Sequence, residues 1–185
     1  MGRTESQLFA LQVSPLSAAE RTVHIRVCLF RDVRNAEKLR ERLRERSLDC
    51  ALIKAELVLE VFQLLTAANR AAQCLHNGKL ATRGIHTEIV YALSPSRNIT
   101  DSLNVFGIAD DTSDVLAVVY DDRKGAKMAD ATKQIDGRPV PLDQLRNVAN
   151  YERIKQIYHV KEPELNKMSI DDAIVTRIVA KDFVA

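Results

Sequence analysis

Arg70, Lys79 and Arg83 are the residues of this chain best placed to do chemistry, because no acid stands near them in sequence. From Val61 to Thr87 there is not one Asp or Glu, although 28% of the whole chain is charged. Cations without acidic neighbours attract phosphate and carboxylate groups. A few such contacts to phosphate give nucleic acid a salt-dependent, sequence-blind affinity. Thr66, Arg70, Gln73 and Asn77 recur at spacings of four, three and four, which puts them on one outward helix face. If the loop from Asn77 to Gly84 turns to the same side, helix and loop form one continuous electropositive surface. Asn69, Asn77 and Tyr91 are then the candidates for holding bases by edge hydrogen bonds or stacking.

Other chemistries lack their residues. The chain has six glycines and neither G-x-G-x-x-G nor G-x-x-x-x-G-K, so no autonomous phosphate cradle is expected. His24, His76, His86 and His159 never fall at metal-ligand spacing with one another or with Cys28, Cys50 and Cys74. They read as surface or packing histidines. No G-x-S-x-G elbow occurs, and Lys181-Asp182-Phe183-Val184 lacks the glycine and every companion element of a kinase Asp-Phe-Gly. Glu88 reads as a buried or capping carboxylate at a helix start rather than as a catalytic acid. The expectation is no enzyme, no metal and no cofactor. The known RNA-recognition signatures are missing too, and Tyr91 is the only aromatic residue between Gln63 and Val105. Any nucleic-acid site is therefore small and suited to a single-stranded end.

The elements that must position these residues follow from periodicity. Val23, Ile25, Val27 and Leu29 alternate with polar residues as in a half-buried strand. Asp32 and Asn35 offer N-caps for a helix reaching about Arg46, with a thin seam of Ala36, Leu39 and Leu43. Glu37 with Arg40, Lys38 with Glu41, Glu41 with Arg44 and Arg42 with Glu45 are spaced to pair at i,i+3, so this helix reads as a solvated face. Leu48 to Leu59 reads as one or two short strands. In the first central helix Val61, Leu65, Ala68, Ala72 and Leu75 form the expected buried stripe, and Gly78 stops it. A second helix is expected from Thr87 to Leu93, before Ser94-Pro95. Asn98 or Thr100 starts a third, carrying Leu103 and Phe106 and closed by Gly107. Val115 to Tyr120 is the best central strand. Helical pieces begin at Pro141, Asn150 and Ser169, the last with a seam of Ile170, Ile174 and Ile178. Residues 1–20, with Ser14-Pro15, set no clear period.

The totals fit one soluble domain. A net charge of +2 and a pI near 8.5 permit nucleic-acid binding without arguing for it. No apolar run approaches the roughly 20 residues of a membrane span, and no secretory signal pattern opens the chain. Three scattered cysteines point to a reducing compartment, cytoplasm or nucleus. The fold class is α/β of the α+β type: a single compact domain over residues 1–185, less regular over 1–20, with a mostly antiparallel central sheet packed with several helices.

Several segments also resemble a known family, in order and spacing. They are Phe30-Arg31-Asp32-Val33-Arg34-Asn35-Ala36, Phe62-Gln63-Leu64-Leu65-Thr66-Ala67-Ala68-Asn69-Arg70-Ala71, Gly78-Lys79 with Thr82-Arg83, Thr87-Glu88-Ile89-Val90-Tyr91-Ala92-Leu93-Ser94-Pro95, Asn98-Ile99 and Phe106-Gly107-Ile108. Together they resemble the PRPK-binding protein family, the small kinase-associated subunits of the KEOPS (EKC) complex. The match is dense from about Thr22 to Tyr120. The resemblance implies a non-catalytic subunit that binds the atypical kinase/ATPase subunit of KEOPS, and other KEOPS subunits indirectly. It also implies recruitment of tRNA by its 3′ CCA end, in support of threonylcarbamoyladenosine (t6A) modification. Carried over, the RNA side falls on Asn69, Arg70, Lys79, Thr82 and Arg83. The kinase side falls on Asn98, Ile99, Leu103, Phe106, Gly107 and Ile108. Gly84 is a departure, since the resemblance implies a polar side chain there. The alternative is a protein-only regulator of an atypical kinase, without RNA contact.

Overall fold

A computed structural model describes residues 5–13 and 22–183. The strands are β1 (Gln7–Gln12), β2 (Thr22–Arg31), β3 (Ala51–Lys54), β4 (Val115–Tyr120) and β5 (Arg138–Val140). The helices are α1 (Ala36–Arg44), α2 (Val61–His76), α3 (Ile85–Leu93), α4 (Ile99–Phe106), α5 (Ala126–Gln134), α6 (Leu145–Val148), α7 (Tyr151–Ile157), α8 (Glu162–Leu165) and α9 (Ile170–Ala180). The sheet is antiparallel throughout, in the order β1-β2-β4-β3, with β5 pairing Leu29 to Arg31 of β2 beyond the end of β1. The α+β fold read from the sequence is the fold observed.

Both faces of this sheet are covered. Ile25, Val27 and Leu29 of β2 and Leu116 and Val118 of β4 join one apolar cluster with α2, α3, α7 and α9. Cys28 and Phe30, with Val115, Ala117 and Val119, join a second cluster containing Leu39 of α1 and Met128 and Ala131 of α5. Each fully buried Leu, Ile, Val or Phe contributes about 1.5–3 kcal/mol. The two-residue period of the strands therefore divides one sheet between two cores.

Several local expectations need correction. β1 lies in a stretch that showed no period, and β5 is too short to show one. Ser14-Pro15 falls outside the described residues. Leu48 to Leu59 holds one strand, followed by a 3-10 turn at Ala55–Leu57. α1 ends at Arg44, and Asn35 does not cap it. Its amide instead donates to the carbonyl of Gln134 (2.8 Å) and its oxygen accepts from the N–H of Asp136 (3.0 Å). The i,i+3 pairs predicted along α1 do not form: Arg40 turns to Asp110 and Arg42 to Gln134. On α2 the buried face is Gln63, Leu64, Ala67, Ala68, Ala71 and Ala72, while Leu75 is exposed and Val61 and Leu65 are half-buried. The sheet lies beneath this helix, with α3 and α9 also packed on it. The run of alanines turns inward because small side chains let these neighbours approach closely.

Asn98, Asn150 and Ser169 do cap α4, α7 and α9, each accepting an N–H three residues on. Ile170, Ile174 and Ile178 are the buried seam of α9.

Candidate nucleic-acid interface

Gly78 ends α2 in the left-handed conformation, φ +64°. Its N–H reaches the carbonyl of Leu75 (3.1 Å) and the N–H of Lys79 that of Cys74 (2.8 Å), the paired closure of a Schellman turn. The loop then folds back onto Glu88, which is 3% exposed at the start of α3. The Glu88 carboxylate accepts from the N–H of Thr82 (2.8 Å) and from its hydroxyl (2.7 Å). Glu88 is thus the anchor of the basic loop, and Thr82 is committed to that anchor. The loop displays Lys79 and Arg83 to solvent, both exposed and neither paired with a described residue.

The α2 residues predicted alongside them do otherwise. Arg70 turns to the end of α9, where its guanidinium donates to the carbonyl of Ile178 (3.2 Å) and pairs with Asp182 just past the helix. The predicted continuous electropositive surface is therefore interrupted: Arg70 is neutralised. Asn69 is half-buried, and its Oδ1 accepts no hydrogen bond among the described residues. Tyr91 is not open for base stacking, since the ammonium of Lys181 lies 3.2 Å from its ring centroid and donates to its carbonyl oxygen (2.6 Å). Arg97 holds the segment after α9 by donating to the carbonyls of Lys181 (3.1 Å) and Asp182 (3.0 Å).

Arg83 stands at an open cleft of about 720 Å³ beside the edge strand β3. One wall is the C-terminal part of α1 and the turn after it, with Arg40, Arg44 and Arg46. The other is the start of α3 and the end of α4. Leu48, Leu52, Val90 and Ile108 give it an apolar lining. Its one acid, Asp49, is already engaged by Lys127 (3.0 Å) and by Nδ1 of His86 (3.1 Å). Burial works against the Asp49 charge, yet these two contacts outweigh it and hold the carboxyl below its usual range. Burial lowers the basicity of His86, partly opposed by Asp49, and Nε2 of this residue accepts the Tyr120 N–H (3.1 Å). His86 is a packing histidine, as read, and it ties α3 to β4.

The residues carried over for kinase binding divide. Phe106 is wholly buried, edge-on to Tyr158 with ring centroids 6.0 Å apart, and Ile108 is 7% exposed. The core needs both side chains, so neither can head a partner surface. Asn98 is exposed, and Ile99, Leu103 and Gly107 are half-exposed. Leu103, Gly107 and Ile108 line the same cleft as Arg83, so residues assigned to two separate surfaces share one. Arg44 and Arg46 also line this cleft, at the end of the Arg-rich helix that the sequence led us to read as a solvated face; basic residues at every second position from Arg40 to Arg46 are more than one helix face can pair. Among the described residues no cluster of His, Cys, Asp and Glu could hold a metal, and no helix is long and apolar enough to cross a membrane.

A sheet covered on both faces, with a basic cleft at one edge, has the anatomy of a binding domain. The family model for kinase binding protein CGI-121 matches residues 30–182. EKC/KEOPS complex subunit TPRKB of Danio rerio is 32% identical over 155 residues, covering 83% of this chain and 89% of that protein. EKC/KEOPS complex subunit cgi121 of Aspergillus fumigatus is 38% identical over 142 residues, 72% of this chain and 75% of that one. The corresponding Kluyveromyces lactis subunit is 34% identical over 140 residues, 75% and 87%. The chain belongs to the CGI-121 kinase-binding family, the one its motifs resembled.

Proposed function

We propose that this chain is a non-catalytic KEOPS (EKC) subunit that binds the atypical kinase/ATPase subunit and recruits tRNA by its 3′ CCA end, in support of t6A modification. It acts in cytoplasm and nucleus, without a cofactor. The family description and the names of the relatives support the kinase and complex parts. The observation that carries the RNA part is the pair of unpartnered cations, Lys79 and Arg83, on a loop that Glu88 holds in place at a basic cleft. Arg70 and Thr82 support this site from within the fold. The kinase contacts α4 through Asn98, Ile99 and the accessible part of Leu103.

Lys79→Glu with Arg83→Glu is expected to abolish tRNA retention in a filter-binding assay while leaving kinase capture intact. Removing the CCA end from wild-type substrate has the same effect. The half-exposed Leu103 and Gly107 in the cleft favour a rival reading, in which the kinase fills it and RNA is never touched. Loss of kinase capture by the double variant, with equal retention of tRNA with and without CCA, would establish that rival.

A further inference from the structure

The segment after α9 occupies two of the groups that the sequence offers to RNA. Asp182 pairs with the Arg70 guanidinium, and the Lys181 ammonium lies 3.2 Å from the centroid of the Tyr91 ring. Consecutive residues thus set an anion on the cation and a cation on the ring. Two helices and a turn hold the segment down. From α2, Arg70 also donates to the Ile178 carbonyl (3.2 Å). From α3, the Tyr91 carbonyl accepts from Lys181 (2.6 Å). Arg97, in the turn before α4, donates to the carbonyls of Lys181 (3.1 Å) and Asp182 (3.0 Å). The hold is incomplete at the ion pair. The Asp182 side chain is 57% exposed, and exposed ion pairs contribute little. Closure also buries the Lys181 ammonium, whose charge burial disfavours. Next to Arg70 on α2, the Asn69 Oδ1 is buried without a donor among the described residues, so the packing here leaves a polar group unsatisfied.

We propose that Lys181 and Asp182 form an autoinhibitory latch: with the segment down, the Asp182 carboxylate holds Arg70 in place of an RNA phosphate, and RNA must displace it to reach that guanidinium. The inference rests on the RNA reading above and concerns its regulation. Asp182 engages one nitrogen of the Arg70 fork, while the other faces the Ile178 carbonyl. A phosphate grips the planar fork with two parallel hydrogen bonds and carries charge that a surface carboxylate pair does not match, so it is the stronger competitor. Apparent affinity for RNA is reduced by the fraction of molecules in which the latch is shut. Arg70 braces α9 in the shut form and contacts phosphate in the open one.

The test is fluorescence anisotropy with a 5′-labelled short RNA ending in CCA. Asp182→Asn keeps the shape of the side chain and removes its charge. It is expected to bind about threefold or more tightly than wild type at low salt. It should also steepen the log–log salt dependence by about 0.7, one more phosphate contact on a single strand. Asp143→Asn removes the same charge from an exposed residue that pairs with no described residue, and is expected to leave the slope unchanged. In an Arg70→Gln background, adding Asp182→Asn should bring no gain. Equal slopes in Asp182→Asn and Asp143→Asn, or a gain that persists without Arg70, would overturn the latch and leave the RNA reading standing. Binding by Asp182→Asn but not by wild type would establish a latch that is fully shut in the free chain. Binding by neither would remove the latch and the RNA reading together.

Discussion

Lys181 has 3% of its surface in water, and its ammonium sits on the Tyr91 ring. Burial, reinforced by Arg70, pulls its pKa from 10.5 down to about 7, while Asp182 and Glu88 pull the other way. Between pH 7 and 10.5 the unfolded chain therefore binds more protons than the folded one at this residue, so unfolding free energy rises with pH across that window. Below pH 7 both states carry the proton and the slope vanishes. Lys181→Met, which keeps the volume and drops the charge, should flatten the rise when urea unfolding is followed from pH 7 to 10. A wild-type slope below that of Lys181→Met would mean that the contact with Tyr91 outweighs desolvation. Glu88 gives a second prediction at this scale. Glu88→Ala leaves the Thr82 N–H without its acceptor and should cost about 1–3 kcal/mol. RNA affinity should fall with it, because Lys79 and Arg83 lose their fixed loop. Neither role was legible in the sequence. Lys181 lies more than a hundred residues from Arg70, and a carboxylate early in a helix looks the same whether it caps, catalyses or braces a loop.

At the level of elements, the sequence displayed those whose signals are local. Asn98, Asn150 and Ser169 cap helices as read, because a cap bond spans three residues. Gly78 stops α2 because a left-handed residue is needed there and glycine supplies it without strain. The face of α2 was misread because its direction is set by three packed neighbours, while a run of alanines carries almost no periodic contrast. The charge pairs along α1 failed for the same reason: Asp110 and Gln134 lie far along the chain and compete for Arg40 and Arg42. Gly84 is the residue before α3, with extended backbone, φ −172°, and open space where a Cβ would stand. Gly84→Ser is therefore expected to stabilise the protein by about 0.5–1 kcal/mol. The serine hydroxyl can accept a first-turn N–H of α3, and the unfolded chain loses glycine's freedom. Thermal unfolding measures it. A lower midpoint would show that the loop needs glycine.

At the scale of the whole molecule, the cleft exists because one sheet serves two cores. α1 belongs to the cluster on one face, α3 and α4 to the cluster on the other, and the cleft opens between them beside the edge strand β3. Arg83 was visible in the sequence as a cation without acids, whereas neighbouring glutamates made Arg44 and Arg46 read as part of a balanced, solvated face, although no ion pair joins them among the described residues. A site assembled across a sheet edge is invisible to periodicity, since no window of sequence spans both walls. The same architecture predicts that both faces unfold together. Leu39 is wholly buried beneath α1, and Leu39→Ala should cost about 2–5 kcal/mol. On the opposite face the Tyr158 hydroxyl donates to the Leu93 carbonyl (2.5 Å) and accepts from the Gln63 amide (3.0 Å). Tyr158→Phe leaves both partners buried without it and should cost about 1–3 kcal/mol. The two residues belong to different apolar clusters on opposite faces of the sheet, so their effects should add to within about 0.5 kcal/mol. Far-ultraviolet dichroism and tyrosine fluorescence should report one coincident transition in each variant. Separate transitions, with Leu39→Ala moving only one, would show that the faces are independent units and that the cleft can open without the rest of the fold.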